Sequence, residues 1–332
     1  MIDFHSHIIF EVDDGSQSIE ESIRLVKEAK RAGFNAIIAT PHYMEDYYMC
    51  NYNQIEEKIQ MLEEKIEDVG VVIYHANEIY TTTNMREILD NGIATTINDS
   101  KYVLFELPMN EKPMNMLEVI YQIKESGRVP IIAHPERYTY VQKDPNMLIE
   151  LIDEGVLFQS NFGSIIGQYG EHAKKTVKQL LKNNFIHFLG SDVHRTNSIY
   201  TRMDEVIDTL EKTISKEKIR ELTYINPRTV LENKEFVKNT YYSISRDFFL
   251  RFIYKQTTVL LMNIIDEKSK GMKVRREDKQ FMADFYKYGF VGIMQDWIES
   301  GMKEKPDNII KKLNSIIEGN FENALEKLKC SN

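Results

Sequence analysis

Residues 1–15, MIDFHSHIIFEVDDG, decide how this chain is read. An apolar, strand-like run carries Asp3, His5 and His7, and its continuation ends in Asp13 and Asp14. On a strand, residues i and i+2 face the same side, so His5 and His7 point into one space. The next stretch, SIEESIRLVKEAKRAGF (18–34), places Ile19, Ile23, Val26 and Ala29 at helical spacing. Ser18 and Glu21 fit a capping box, and Gly33 is a stop signal. The chain therefore opens as a strand followed by a helix.

The same alternation continues. NAIIATPH (35–42), VVIYHANEI (71–79), YVLFELP (102–108), VPIIAHPERY (129–138), LFQSNFG (157–163) and IHFLGSDVH (186–194) are apolar and bounded by turn residues. Helical, charged stretches such as YNQIEEKIQMLEEKIEDVG (52–70) fill most gaps. About seven strands alternating with helices predict an α/β fold with a largely parallel sheet. Each apolar run ends in a polar group: His5 and His7, His42, Glu78, Glu106, His134, Asn161, then Asp192 and His194. An open sheet spreads such ends along a line, whereas a barrel gathers them at one mouth. The expectation is a barrel of about seven strands.

After residue 226 the character changes. INPRTVLENKEF (225–236) reads as a terminal helix, and from Tyr241 onward the chain is aromatic-rich and helical in pattern, with no histidine after His194. A boundary is expected near 239, giving a barrel over 1–238 and a helical domain over 239–332.

The 332 residues carry a net charge of -9. Such a balance argues against nucleic acid as a general partner. The only cysteines are Cys50 and Cys330, too few for a disulfide framework. No signal peptide and no apolar run of membrane-spanning length are read in the sequence, so the expectation is a cytoplasmic protein without membrane insertion.

The candidate metal ligands are His5, His7, Asp14, His42, Glu78, Glu106, His134, Asp192 and His194. Nine mixed nitrogen and oxygen groups exceed what one ion needs and suit two or three ions sharing a carboxylate. Two ions about 3.5–4 Å apart activate water and hold both oxygens of an in-line displacement at phosphorus. Arg137 in HPERY supplies a fork for phosphate. The reading is metal-assisted phosphoester hydrolysis. His75, His172 and His187 are read as structural, and Glu136 as mainly so. Asp3 either orients a histidine or lies on the surface. Asp13 and Asp14 are not separable by spacing. The tyrosines of MEDYYMCNYN (44–53) are expected to pack on the rim. Neither cysteine sits in a phosphate-binding loop, and no GxxxxGK[ST] occurs, which removes cysteine phosphatases and P-loop enzymes.

MIDFHSHIIFEVDDGSQSIEES, IIATPHY, NEIY, FELP, IIAHPERY, NFGSIIGQYG and SDVH together resemble the polymerase-and-histidinol-phosphatase (PHP) superfamily. More narrowly they resemble the CpsB/YwqE group of bacterial manganese-dependent protein tyrosine phosphatases. The resemblance implies a distorted (β/α)7 barrel and a trinuclear centre; two or three divalent ions are expected, manganese first, with iron, zinc or magnesium as alternatives. It implies dephosphorylation of the tail of a cognate tyrosine kinase in capsule or exopolysaccharide synthesis. It selects Asp14 over Asp13 among the ligands and gives Arg137 the phosphate. Where the family has a further arginine, this chain reads RTNSIYTRMDE (195–205), with Ile199 near the aligned position and Arg195 and Arg202 as the nearby substitutes. A histidinol-phosphatase-like enzyme and a non-catalytic regulatory scaffold are the rival readings. FYKYGFVGIMQDWIESGMKEKPDNI (285–309) resembles the C-terminal domain of TetR-type regulators, which implies a homodimer through these helices or a sensing module.

Overall fold

A computed structural model describes residues 1–232, 246–299, 306–317 and 320–329. The chain divides into two compact units, 1–233 and 234–332. The boundary expected near 239 lies outside the described residues.

The first unit is α/β. Its strands are β1 (Ile2–Ser6), β2 (Ala36–Ala39), β3 (His42–Met44), β4 (Tyr48–Met49), β5 (Val72–His75), β6 (Glu78–Tyr80), β7 (Tyr102–Glu106), β8 (Val129–Ala133), β9 (Leu157–Asn161) and β10 (Phe188–Gly190). They form two sheets, ordered β1-β2-β5 and β10-β9-β8-β7-β6-β3-β4. Every pairing is parallel except the β3–β4 hairpin. An isolated parallel bridge, Ser6 to Val193, joins the two sheets past the end of β10. His7 N donates to Val193 O and Asp192 N to His5 O there.

Two expected strands are each broken in two. His42 and Glu78 open β3 and β6 instead of closing β2 and β5. Pro41 has no N–H to continue the ladder of β2. Asn77 interrupts β5 and fastens the break: its amide donates to Pro41 O and Cys50 O, and its carbonyl accepts from Thr95 N.

The helices follow the sequence pattern. In α1 (Ile19–Arg31), Ser18 accepts from Glu21 N as expected, but the Glu21 carboxylate reaches Gln17 N instead of closing the box. In α2 (Tyr52–Ile66), Asn51 and Gln54 form the complete reciprocal box. Leu25, Val26, Ala29, Ile55, Ile59 and Leu62 bury the apolar faces of both helices in the main core. A smaller core draws on Ile2, Phe4, Ile38, Leu104, Ile131 and Phe188, with Val230 and Leu231 of the terminal helix. Phe4 and Phe188 stack there at 3.9 Å. These apolar positions precede the polar ones along their strands, so a dry floor lies beneath a polar end.

The second unit is helical: Arg246–Lys268, Arg276–Glu299, Pro306–Ile317 and Asn320–Lys327. Leu261, Ile265, Met282, Ala283, Phe321 and Leu325 form its core. An apolar cavity of about 200 Å³ is lined by Ile253, Phe290, Met294, Trp297 and Leu313. No described helix is long and apolar enough to cross a membrane.

Candidate metal centre

Eight of the nine expected ligands fall into three overlapping groups of candidate donor atoms. These are His7, Asp14, His42 and His194; His5, His7, Glu78 and Asp192; and His42, Glu78 and Glu106, each with donor atoms within 4.8 Å of one another. Shared members fuse the groups into one site. Glu78 is its centre. Its Oε2 lies 3.1 Å from His5 Nε2 and 3.3 Å from both His7 Nε2 and His42 Nδ1, and its Oε1 lies 2.9 Å from His134 Nε2. His134, the ninth expected ligand, joins through that contact.

The backbone is shaped to deliver these side chains. His134 and Asp192 follow β8 and β10 with φ of 33° and 53°, a left-handed conformation that non-glycine residues rarely adopt. Gly190 lets β10 close on β1, because a Cβ there would lie 2.6 Å from His5 Cβ.

Residues outside the ligand set hold it in place. Asp13 is distinct from Asp14: its Oδ2 sits 2.7 Å from His7 Nδ1 and accepts from His42 N, while its Oδ1 accepts from Gly15 N. Asp14 instead faces His194 Nε2 at 3.3 Å and His42 Nε2 at 3.7 Å. Gln159 Oε1 lies 2.9 Å from His5 Nδ1, and a carbonyl oxygen only accepts, so that nitrogen carries the proton and Nε2 faces the site. Asn161 donates to Asp192 Oδ2 at 2.7 Å. Asp3 is buried, not on the surface; it accepts from Ser191 N, Tyr200 OH and, at 3.4 Å, His5 N. Glu136 accepts from Ser160 Oγ, Asn161 N and Ser164 Oγ, which ties β9 to the following helix. Sequence reasoning passed over Gln159; its period-two relation to Asn161 was the available signal.

The electrostatics describe a site built for cations. Burial pushes the Glu78 carboxyl up, but His5, His42 and His134 override it and hold it well below the usual range. Burial also opposes ionised Asp192, and His5, His7, His134 and Arg137 overcome it. Glu106 goes the other way, raised by burial and then by the charges of Glu78 and Asp192. Asp13 is held at about 2; burial raises it, and His7 more than compensates. His42 Nδ1 is buried 3.3 Å from Glu78 Oε2 and from Glu106 Oε1 with no aligned hydrogen bond to either. A buried, unbonded imidazole nitrogen between two carboxylates is costly unless something else fills the gap. The residues fit a group of divalent ions.

Arg137 reaches the site from the turn after β8 and donates through Nη1 to Asp192 Oδ2 at 2.7 Å. Its guanidinium lies over the Tyr169 ring. Neither substitute arginine duplicates this. Arg202 pairs with Glu205 of the helix it precedes, and Arg195 donates to Gly15 O and His194 O. The Tyr48 ring stacks on His42 at 5.9 Å, while Tyr47 beside it is 78% exposed. His75 sits between Glu56 and Asp99, and His187 accepts from Phe158 N, both outside the centre.

Comparison with known proteins finds a family and several relatives. Residues 1–232 match the family described as capsular polysaccharide synthesis, CpsB/CapC, and residues 227–319 match a transcriptional regulator C-terminal region. The chain is 35% identical over 196 residues to the putative tyrosine-protein phosphatase CapC of Staphylococcus aureus, spanning 58% of this chain and 77% of that protein. It is 32% identical to tyrosine-protein phosphatase CpsB of Streptococcus pneumoniae, over 70% of this chain and 98% of that protein. Among solved structures it resembles one from a study of Bacillus subtilis YwqE and S. pneumoniae CpsB, described as unique metal-dependent tyrosine phosphatases. That match has a TM-score of 0.66 and 30% identity, covering 70% of this chain and 95% of the other. With two sequence relatives above 30% identity and a family match over most of its length, the chain belongs to the CpsB/CapC family.

Proposed function

We propose that this chain is a divalent-metal-dependent phosphatase of protein phosphotyrosine, serving capsule or exopolysaccharide synthesis by acting on a cognate tyrosine kinase. The observation that carries the reading is the fused set of histidines and carboxylates around Glu78 with Arg137 at its edge. The proposed ligands are His5, His7, Asp14, His42, Glu78, Glu106, His134, Asp192 and His194. Mixed imidazole and carboxylate donors suit manganese, with iron, zinc and magnesium as competitors. When bound, such ions supply Lewis-acid charge to the phosphoryl group and a nucleophile at neutral pH.

The chain's own residues prepare that chemistry. Asp13 and Gln159 hold the outer nitrogens of His7 and His5, so both Nε2 atoms face inward. Asn161 and Arg137 occupy one oxygen of Asp192 and leave Oδ1 directed at His5 and His7. Arg137 brings a permanent positive charge to the edge where phosphoryl oxygens bind. Tyr48 beside His42 offers a flat wall for an aromatic leaving group.

The two sheets are taken as one distorted seven-stranded barrel, with β2/β3 and β5/β6 each an interrupted strand and the Ser6–Val193 bridge closing the ring. The chain is placed in the cytoplasm. The helical unit is assigned to homodimerisation, supported by Phe281, Phe285 and Tyr288, exposed on one face of the helix Arg276–Glu299.

The test is turnover of a phosphotyrosine peptide before and after stringent chelation, then after manganese readdition, with elemental analysis of the same sample. Activity lost and restored in step with metal supports the reading; full activity without metal overturns it. Histidinol phosphate outcompeting the peptide would move the reading to a small-molecule phosphatase.

A further inference from the structure

Among the described residues the Arg137 side chain makes one hydrogen bond, from Nη1 to Asp192 Oδ2. One hydrogen bond at the tip of a long side chain leaves the guanidinium free to rotate about that bond. Tyr169 removes this freedom. Its ring lies beneath the guanidinium, 4.4 Å from Cζ, and its hydroxyl lies 3.5 Å from the same Asp192 oxygen. Asn161 Nδ2 meets that oxygen as well. Three side chains from three different segments therefore converge on Asp192 Oδ2, with the phenol ring as the floor.

The local backbone is arranged to admit this ring. Gly167 and Gly170 bracket Tyr169 with φ of 88° and 91°, turns that a residue with a side chain makes only under strain. On the facing helix, Phe162–Ile166, position 163 is also glycine. A Cβ there would lie 3.0 Å from Tyr169 Cε2 and 2.8 Å from Gln168 Oε1. A methyl group at 163 meets the ring that supports Arg137.

We infer that Tyr169 is a positioning residue for Arg137: its ring fixes the plane of the guanidinium so that the N–H groups not used by Asp192 stay directed at the phosphoryl oxygens. The inference rests on the phosphatase reading above. It also gives the chain a way to hold phosphate with one arginine at this edge. Stacking supplies the rigidity that a second cation would otherwise supply by charge. The phenol transfers no proton. Its role is carried by the ring, so phenylalanine is an adequate replacement and an aliphatic residue is not.

The experiment measures inorganic phosphate binding to the manganese-loaded, full-length protein by calorimetry, alongside kcat and KM for a phosphotyrosine peptide. Tyr169→Leu is expected to weaken phosphate binding about fivefold to tenfold, the size of a partly desolvated cation–π contact. KM should rise in parallel, with manganese content unchanged. Tyr169→Phe should stay within about twofold of wild type, because it keeps the stack. Gly163→Ala should shift phosphate affinity in the same direction as Tyr169→Leu. In an Arg137→Ala background, Tyr169→Leu should add nothing, since its only route to phosphate is gone. Unchanged phosphate affinity in Tyr169→Leu overturns the inference, as does full additivity with Arg137→Ala. A Tyr169→Leu protein that loses its manganese also overturns it, because the residue then supports the fold of the site and not the arginine. A wild-type protein that neither binds phosphate nor hydrolyses the peptide refutes the phosphatase reading itself.

Discussion

The two units of this chain bury different things. The α/β unit buries charge: Asp3, His5, His7, Glu78, His134 and Asp192 are all nearly inaccessible. The helical unit buries a modest apolar core and leaves Phe281, Phe285 and Tyr288 in solvent at 62–72% exposure. Buried charge is unfavourable unless paired or bound to metal. Exposed aromatic surface is unfavourable unless something covers it. On the proposed reading the first unit is completed by ions and the second by another surface, so each should respond to a perturbation that leaves the other untouched.

The largest expected effect comes from the centre of the polar site. Glu78→Ala removes the carboxylate common to four histidines and should lower turnover by about 10³-fold or more, with loss of bound metal by elemental analysis. Oligomeric mass by light scattering should not change. If it did, the units would not be independent. Asp13→Ala is predicted to be milder. It frees His7 Nδ1 without removing a ligand, so metal affinity should fall about 10- to 100-fold in a chelator competition. Equal losses for Asp13→Ala and Asp14→Ala would erase the distinction between holder and ligand.

Phe281→Asp/Phe285→Asp probes the other side of the comparison. A homodimer should become a monomer, halving the mass in light scattering, while kcat stays within about twofold. A wild-type protein already monomeric would remove the assigned role of this face.

The smallest effect concerns a half-buried histidine away from both. Burial, and then Lys218, lowers His187 from 6.5 to about 4. Between those values the unfolded chain binds a proton that the folded chain does not, so stability is full above pH 6.5 and falls as pH drops toward 4. At pH 5 the loss is about 2 kcal/mol. His187→Asn keeps an acceptor for Phe158 N and should flatten that dependence in urea unfolding at pH 7.5 and pH 5. An unchanged slope would place the titration elsewhere.

Much of the site was legible because strands put chemistry at their ends. The alternation in FHSH and the polar letters closing IIAHPER and FLGSDVH pointed to residues that do converge. What was not legible depended on contacts between segments remote in sequence. Asp13 and Asp14 are adjacent letters, yet the loop turns one toward His7 and the other toward His194. Asp3 looked evenly divided between surface and site until Tyr200 and Ser191 met it. The interruptions at Pro41 and Asn77 were hidden inside runs that read as continuous strands, because the fastening of Asn77 to residues 50 and 95 is non-local. The two long C-terminal helices read clearly as helices, but aromatic residues around much of their circumference gave no single face to assign to a core.

His134 and Asp192 hold left-handed backbone conformations that glycine would adopt without strain. Each costs the folded chain on the order of 1–3 kcal/mol. A population of variants sorted only for resistance to heat or protease should therefore enrich glycine at 134 and 192, while a population sorted for turnover should purge it. Selection for durability and selection for catalysis pull this chain apart at those two positions, and the residues found there record which one prevailed.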